Sequence, residues 1–232
     1  MSRSARIILP NTPHHIVQRG HNRQTVFVTD EDYNYYLENL LEFKREFGCK
    51  VYAYCLMTNH VHLIVDPGKN PQSISLLMKR VAGRQTRYVN KLEKRTGSLW
   101  EGRFKSSIVS AKEYLPACCR YIELNPLRAG MTTDPTDYQW SSYAAKVLGR
   151  RDKVVDFHPS YMTLGESESE RQKTYAEYVL DTVPEDEIKL IRESLQRGQL
   201  TGSDGFRAEI ERKLGIRLSN KKPGRPRKEA EK

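Results

Sequence analysis

Apolar positions along this chain recur with two periods that take turns. His14-His15-Ile16-Val17-Gln18-Arg19 has the composition of a strand, and Gly20-His21-Asn22-Arg23 that of a turn. Asp30 is placed to cap a helix from about Glu31 to Phe47, with Tyr33, Tyr36, Leu37, Leu40, Leu41 and Phe43 on its apolar face, and Gly48 stops it. Lys50 to Leu56 and Thr58 to Val65 are rich in β-branched and aromatic residues. The short Met57-Thr58-Asn59 connection predicts that they pair as a hairpin. After the turn-forming run Asp66 to Pro71, a helix from about Gln72 to Leu92 turns Ile74, Leu77 and Val81 inward. Leu99 to Val109 reads as a turn leading into a fourth strand. Ala111 to Leu124 reads as a helix ended by Asn125-Pro126, because a residue before proline disfavours the α region.

Strand, helix, strand, strand, helix, strand is the α+β split βαβ pattern, a ferredoxin-like antiparallel sheet, here with an added third helix. Beyond Val147 the composition turns polar, and Gly149-Arg150-Arg151-Asp152-Lys153 reads as a linker. Glu166 to Leu180, Glu185 to Arg197 and Gly205 to Leu214 are predicted helices with narrow apolar faces, Phe206 and Ile210 being core positions. The expected organisation is a domain over residues 1–147, a small helical extension over 148–216, and a basic tail over 217–232. This pattern specifies no function by itself.

Charge narrows the partners. The 232 residues carry a formal net charge of +10, which points to a polyanion, with nucleic acid first among candidates. No apolar run approaches the ~18 residues of a membrane span, and the basic N-terminus lacks the apolar core of a secretory signal. A cytoplasmic, nucleoid-associated protein is expected. Cys49, Cys55, Cys118 and Cys119 form no Cys-x-x-Cys pair and read as packed free thiols.

Candidate phosphate contacts are Arg19 and Arg23 around the first turn, the stripe Arg80, Arg84, Arg87 and Lys91 at offsets of four, three and four on one helix, and Arg103 with Lys105 on the fourth strand. Trp100 and Phe104, interleaved with that last pair, suit either base stacking or the core. Lys221-Lys222-Pro223-Gly224-Arg225-Pro226-Arg227-Lys228 resembles an AT-hook, in which Arg225 would enter a narrow minor groove, or else a basic tail of sequence-independent affinity.

The chemistry centres on Thr58-Asn59-His60-Val61-His62-Leu63-Ile64-Val65. Alternate residues of a strand share a face, so His60 and His62 project together as most of a metal site. Tyr114 and Tyr121 are seven residues apart on one helical face, and either could reach the pair. Four residues after Tyr121 stands Asn125, whose amide oxygen is a hard ligand suited to magnesium or manganese; the same offset from Tyr114 meets the soft Cys118. Tyr121 is therefore the better nucleophile, with His60, His62 and Asn125 as the Mg2+ or Mn2+ site. The reaction expected is attack of a phenolate on a DNA phosphate.

Asn59 to Val65, Leu99-Trp100-Glu101-Gly102-Arg103-Phe104-Lys105-Ser106, Tyr121 to Gly130, and Trp140-Ser141-Ser142-Tyr143 together resemble the single-tyrosine HUH transposases. Among these the chain is most similar to the REP-associated tyrosine transposases, over about residues 5 to 147. The resemblance implies a ferredoxin-like fold, a divalent cation, and cleavage of single-stranded DNA at palindromic hairpins through a 5′-phosphotyrosine. It matches His60 and His62 to the metal ligands, Tyr121 to the nucleophile and Asn125 to a third ligand whose type varies in the family. The competing expectations are a non-cleaving DNA-binding regulator on the same fold and a metal-dependent hydrolase that uses water. The oligomeric state stays open: in a homodimer the Tyr121 helix could serve the partner's metal site, whereas a monomer must act within one chain.

Overall fold

The structure, a computed structural model, describes residues 6–217. Its elements run β1 (His14–Arg19), α1 (Asp30–Glu46), β2 (Lys50–Met57), β3 (His60–Asp66), α2 (Gln72–Leu92), β4 (Lys105–Val109), α3 (Leu115–Glu123), α4 (Asn125–Arg128), α5 (Tyr143–Val147), α6 (Pro159–Met162), α7 (Glu168–Leu180), α8 (Glu185–Arg197), β5 (Leu200–Thr201) and α9 (Asp204–Leu214). The sheet order is β2-β3-β1-β4-β5, and the pairs β2-β3, β3-β1 and β1-β4 are antiparallel. With α1 and α2 as crossovers, this is the expected ferredoxin-like arrangement. The extension is not purely helical, since β5 adds a short fifth strand parallel to β4 and makes the sheet mixed.

Local chemistry explains the element ends. The cap of α1 is Thr29 rather than Asp30, because Thr29 and Asp32 form a reciprocal capping box. Between β2 and β3 the chain reverses over Thr58 and Asn59 alone, which sets the register Met57↔His60 and Cys55↔His62. The third helix starts at Leu115, four residues later than the pattern predicts. Pro116 has no N–H and belongs in a first turn, so Ala111 to Tyr114 form a turn instead.

Two cores flank the sheet. Ile16, Val61, Leu63 and Val65 pack under α1 and α2 with Tyr36, Leu40, Phe43, Ile74, Leu77 and Val81. Trp100 and Phe104 lie in this core, and the Trp100 indole donates to the Ala82 carbonyl, so neither ring is free to stack on a base. On the opposite face Ala53, Cys55 and Ile64 pack against Leu115, Cys118 and Ile122 of α3 and Ile191 of α8. The four cysteines are free and buried.

The segment read as a linker is fastened down. Tyr54 donates to the Asp152 carboxylate at 2.7 Å, Val154 is buried in the first core, and Asp156 pairs with Lys44 at 2.6 Å. Ile210 of α9 is buried with Leu9, Ile108 and Leu200, and Phe206 packs beside it. Arg225 and the AT-hook-like tail lie outside the described residues. Among the described residues no helix is long and apolar enough to cross a membrane.

Candidate active site

Register builds the site. His60 of β3 stands opposite Arg19 of β1, His62 opposite Val17, and Val17 in turn opposite Lys105 of β4. Directly paired residues project to the same side, so these imidazoles and cations share the face covered by α3. His15, two residues before Val17, joins that face and lies diagonal to His62. Val17, Arg19, His60, His62 and Lys105 of this row, together with Tyr121, Asn125, Arg103 and part of α8, line an open cleft of about 690 Å³, with His15 buried behind them.

Hydrogen bonds set the imidazoles. Asn59 donates through Nδ2 to the Arg23 carbonyl at 3.1 Å, which turns its Oδ1 toward His60 Nδ1 at 2.7 Å. His60 therefore carries its proton on Nδ1, leaving the Nε2 lone pair for a ligand. His62 Nδ1 lies 2.9 Å from His15 Nε2, so its free nitrogen is also Nε2. Burial, with the Arg19 charge adding to it, lowers the His60 pKa to about 4. Burial and then neighbouring positive charge hold His62 well below its ordinary value, and burial alone lowers His15 to about 3. All three are neutral near pH 7, the state in which imidazole binds a metal.

Tyr121 is buried on α3, its ring centroid 6.0 Å from that of His62 and 5.8 Å from that of His15. Arg128 donates to the Tyr121 carbonyl and lays its guanidinium 4.6 Å from the centre of the phenol ring. Asn125 begins α4, two residues past the end of α3. Its Nδ2 donates to the Ile122 carbonyl at 3.1 Å, so its amide oxygen remains available at the cleft wall. Two imidazole nitrogens and an amide oxygen suit a divalent cation with open positions for phosphate and water.

The family profile described as "Transposase IS200 like" matches residues 9–125, just over half of the chain. This chain belongs to the IS200-like transposase family. It is 22% identical over 154 residues to a Haemophilus influenzae protein catalogued as a REP-associated tyrosine transposase, covering 58% of this chain and 82% of that one. Its fold matches a REP-associated tyrosine transposase solved with a REP hairpin: TM-score 0.56 and 17% identity, over 68% of this chain and 93% of that chain. A Deinococcus radiodurans protein solved as a transposase candidate is 23% identical, over 50% of this chain and 91% of that chain, but its TM-score of 0.36 supports no structural correspondence.

Set on this transposase fold, the predicted residues separate into two groups. His60, His62, Tyr121, Asn125, Arg19, Arg103 and Lys105 converge on the cleft. Tyr114 sits at the N-terminus of α3, outside the cleft lining. The stripe Arg80, Arg84 and Arg87 belongs to α2, on the other side of the sheet. Arg84 is also occupied, forming a bidentate pair with Glu42 at 2.6 and 2.9 Å and a bond to Asn39. Arg23 does not line the cleft and contributes through its backbone, its carbonyl holding Asn59. Sequence reasoning missed three contributors: Asn59, His15 and Arg192. The alternation of β1 could have shown His15, since it shares a face with Val17 and Arg19; nothing local marks Arg192.

Proposed function

We propose that this transposase cleaves and transfers single-stranded DNA at hairpin-forming palindromes, with Tyr121 as nucleophile and His60, His62 and Asn125 holding Mg2+ or Mn2+. The observation that carries the reading is the Tyr121 ring set beside His62 in a cleft rimmed by Arg19, Arg103 and Lys105. Hairpin DNA as the substrate rests on the REP hairpin held by the structural relative. A divalent cation bound there would polarise the scissile phosphate and stabilise its developing charge.

The remaining work falls to the protein. Arg128 lies against the Tyr121 ring and holds its backbone carbonyl, which positions the phenol, while Arg19, Arg103 and Lys105 attract the strand. Tyr121 Oη gives up its proton and bonds to phosphorus, the P–O3′ bond breaks, and the departing 3′ oxygen takes up a proton. The product is a 5′-phosphotyrosine that keeps the energy of a phosphodiester, so attack by another 3′-hydroxyl can rejoin the strand. Tyr121 and His62 of one chain already face each other, which supports action within a single chain. Such a protein would work in the cytoplasm at the nucleoid.

The test is incubation with labelled palindromic single-stranded DNA and Mn2+ or Mg2+, followed by denaturing electrophoresis and mass analysis, beside Tyr121→Phe. An adduct on Tyr121 that vanishes in the variant and with chelator is the expected result. Binding without cleavage across many hairpins would establish the regulator instead, and cleavage surviving Tyr121→Phe the water-using hydrolase.

A further inference from the structure

The helical extension lies beyond the part of the chain that the family profile covers, yet α8 forms one wall of the catalytic cleft. Its placement is fixed at three points. Glu187 pairs with Arg120 at 2.6 Å, and Arg120 directly precedes Tyr121. Ile191 is fully buried in the same cluster as Tyr121. At its far end Ser194 donates to the Leu200 carbonyl, and β5 pairs with the strand that carries Lys105. Helix α8 is thus tied to the nucleophile's helix and to the sheet.

One side chain of this wall stands out. Arg192 is exposed to the cleft, its guanidinium 6.0 Å from the centre of the Tyr121 ring. Among the described residues it joins no ion pair, whereas Arg197, five residues on, is held by Glu193 at 3.1 Å. Burial lowers the pKa of Arg128, and the charge of Arg192 lowers it further, so two like charges are gathered around one phenol. Cations left unpaired beside one another favour an anion between them, and the anion that must reach Tyr121 is a phosphodiester.

We propose that Arg192 binds the backbone phosphate of the single strand beside the Tyr121 nucleophile, making the extension part of the transposase active site. The proposal rests on the reading of Tyr121 as nucleophile, but one arm of its test does not.

The probe for that arm is a fluorescent oligothymidylate, whose affinity is measured against salt by anisotropy for the full chain, Arg192→Ala and Lys189→Ala. Lys189 is exposed on the same helix but does not line the cleft. Loss of one phosphate contact should reduce the slope of log K against log salt by ~0.7 for Arg192→Ala and leave it unchanged for Lys189→Ala. The second arm is the single-turnover rate of adduct formation on a hairpin, expected to fall roughly tenfold in Arg192→Ala and recover in part in Arg192→Lys, with unchanged melting temperatures. A wild-type slope in Arg192→Ala overturns the proposal. A reduced slope with an unchanged adduct rate overturns the placement beside the reacting phosphate. If the wild-type chain forms no adduct, the nucleophile reading fails, and the slope still decides whether Arg192 binds the strand.

Discussion

Removing the Lys146 ammonium should do more damage than its place in a short helix suggests. Glu123, two residues after Tyr121, is fully buried, and Lys146 of α5 lies 2.8 Å from its Oε1 with only 4% of its side chain exposed. Ser142 donates to the same oxygen at 2.5 Å, and Tyr175 of α7 donates to Oε2 at 2.7 Å. Lys146→Met leaves a carboxylate with two hydroxyl donors and no cation, which for a buried pair costs about 3–5 kcal/mol. For a protein of this size that is roughly 6–20 °C in melting temperature. Adding Glu123→Gln should restore at least half of the loss, because a neutral amide removes the unpaired charge and can accept from one of the two hydroxyls while its NH2 donates to the other. Thermal and urea denaturation of the wild type, both single variants and the double variant give the coupling energy. A loss under about 1 kcal/mol for Lys146→Met, unrelieved by the second substitution, would refute the reasoning and make the pair no more than a surface contact.

His14 is buried, donating from Nδ1 to the Thr12 carbonyl and accepting from the Leu9 N–H at Nε2, and burial lowers its pKa to about 4. The unfolded chain binds this proton near pH 6.5, so stability holds above that and falls as pH drops toward 4. The loss is about 2 kcal/mol between pH 8 and pH 5. Urea midpoints across that range should drop less in His14→Gln; an equal drop would refute the assignment. His15→Phe should weaken Mn2+ binding, followed by calorimetry, by 10–100-fold while keeping the fold, since His62 loses the partner that orients it; unchanged affinity would count against the site. Lys105→Ala should lower hairpin affinity and Arg84→Ala should not, because Lys105 lines the cleft and Arg84 is held by Glu42 across the sheet. Gly20→Ala should destabilise the first turn, since its Cβ would stand 2.3 Å from the Gln24 carbonyl; a melting temperature equal to wild type would contradict this.

The elements of the sheet domain were legible because each carries its own period, and the fold followed from their order. The legible part of the site has the same origin. His60 and His62 are two apart on a strand, and Tyr121 and Asn125 four apart on helical backbone, so local geometry alone places each pair on one face. The basic stripe of α2 obeys the same rule and still misleads. A helical period says that Arg80, Arg84 and Arg87 share a face, but not which side of the sheet the helix covers, nor that Glu42 of α1 waits opposite. Likewise Glu123 reads in sequence as an ordinary surface charge, and only packing of α5 and α7 reveals it as buried.

The residues that escaped the sequence are those whose role is created by register. His15 looks like any polar residue at the head of a strand until β1 pairs with β3 so that His15 faces Ile64, which puts it diagonal to His62. A slip of one residue in that pairing would send His15 to the opposite core and bring His14 to the cleft side. His14 is itself held by Leu9 and Thr12 on the segment leading into β1. The two adjacent histidines therefore oppose slippage from both faces of the sheet, one by its bonds to the preceding loop and the other by its bond to His62. Fixing the register of β1 also fixes Arg19 opposite His60 and Val17 opposite Lys105, so the interactions that orient the imidazoles also align the cations along the cleft.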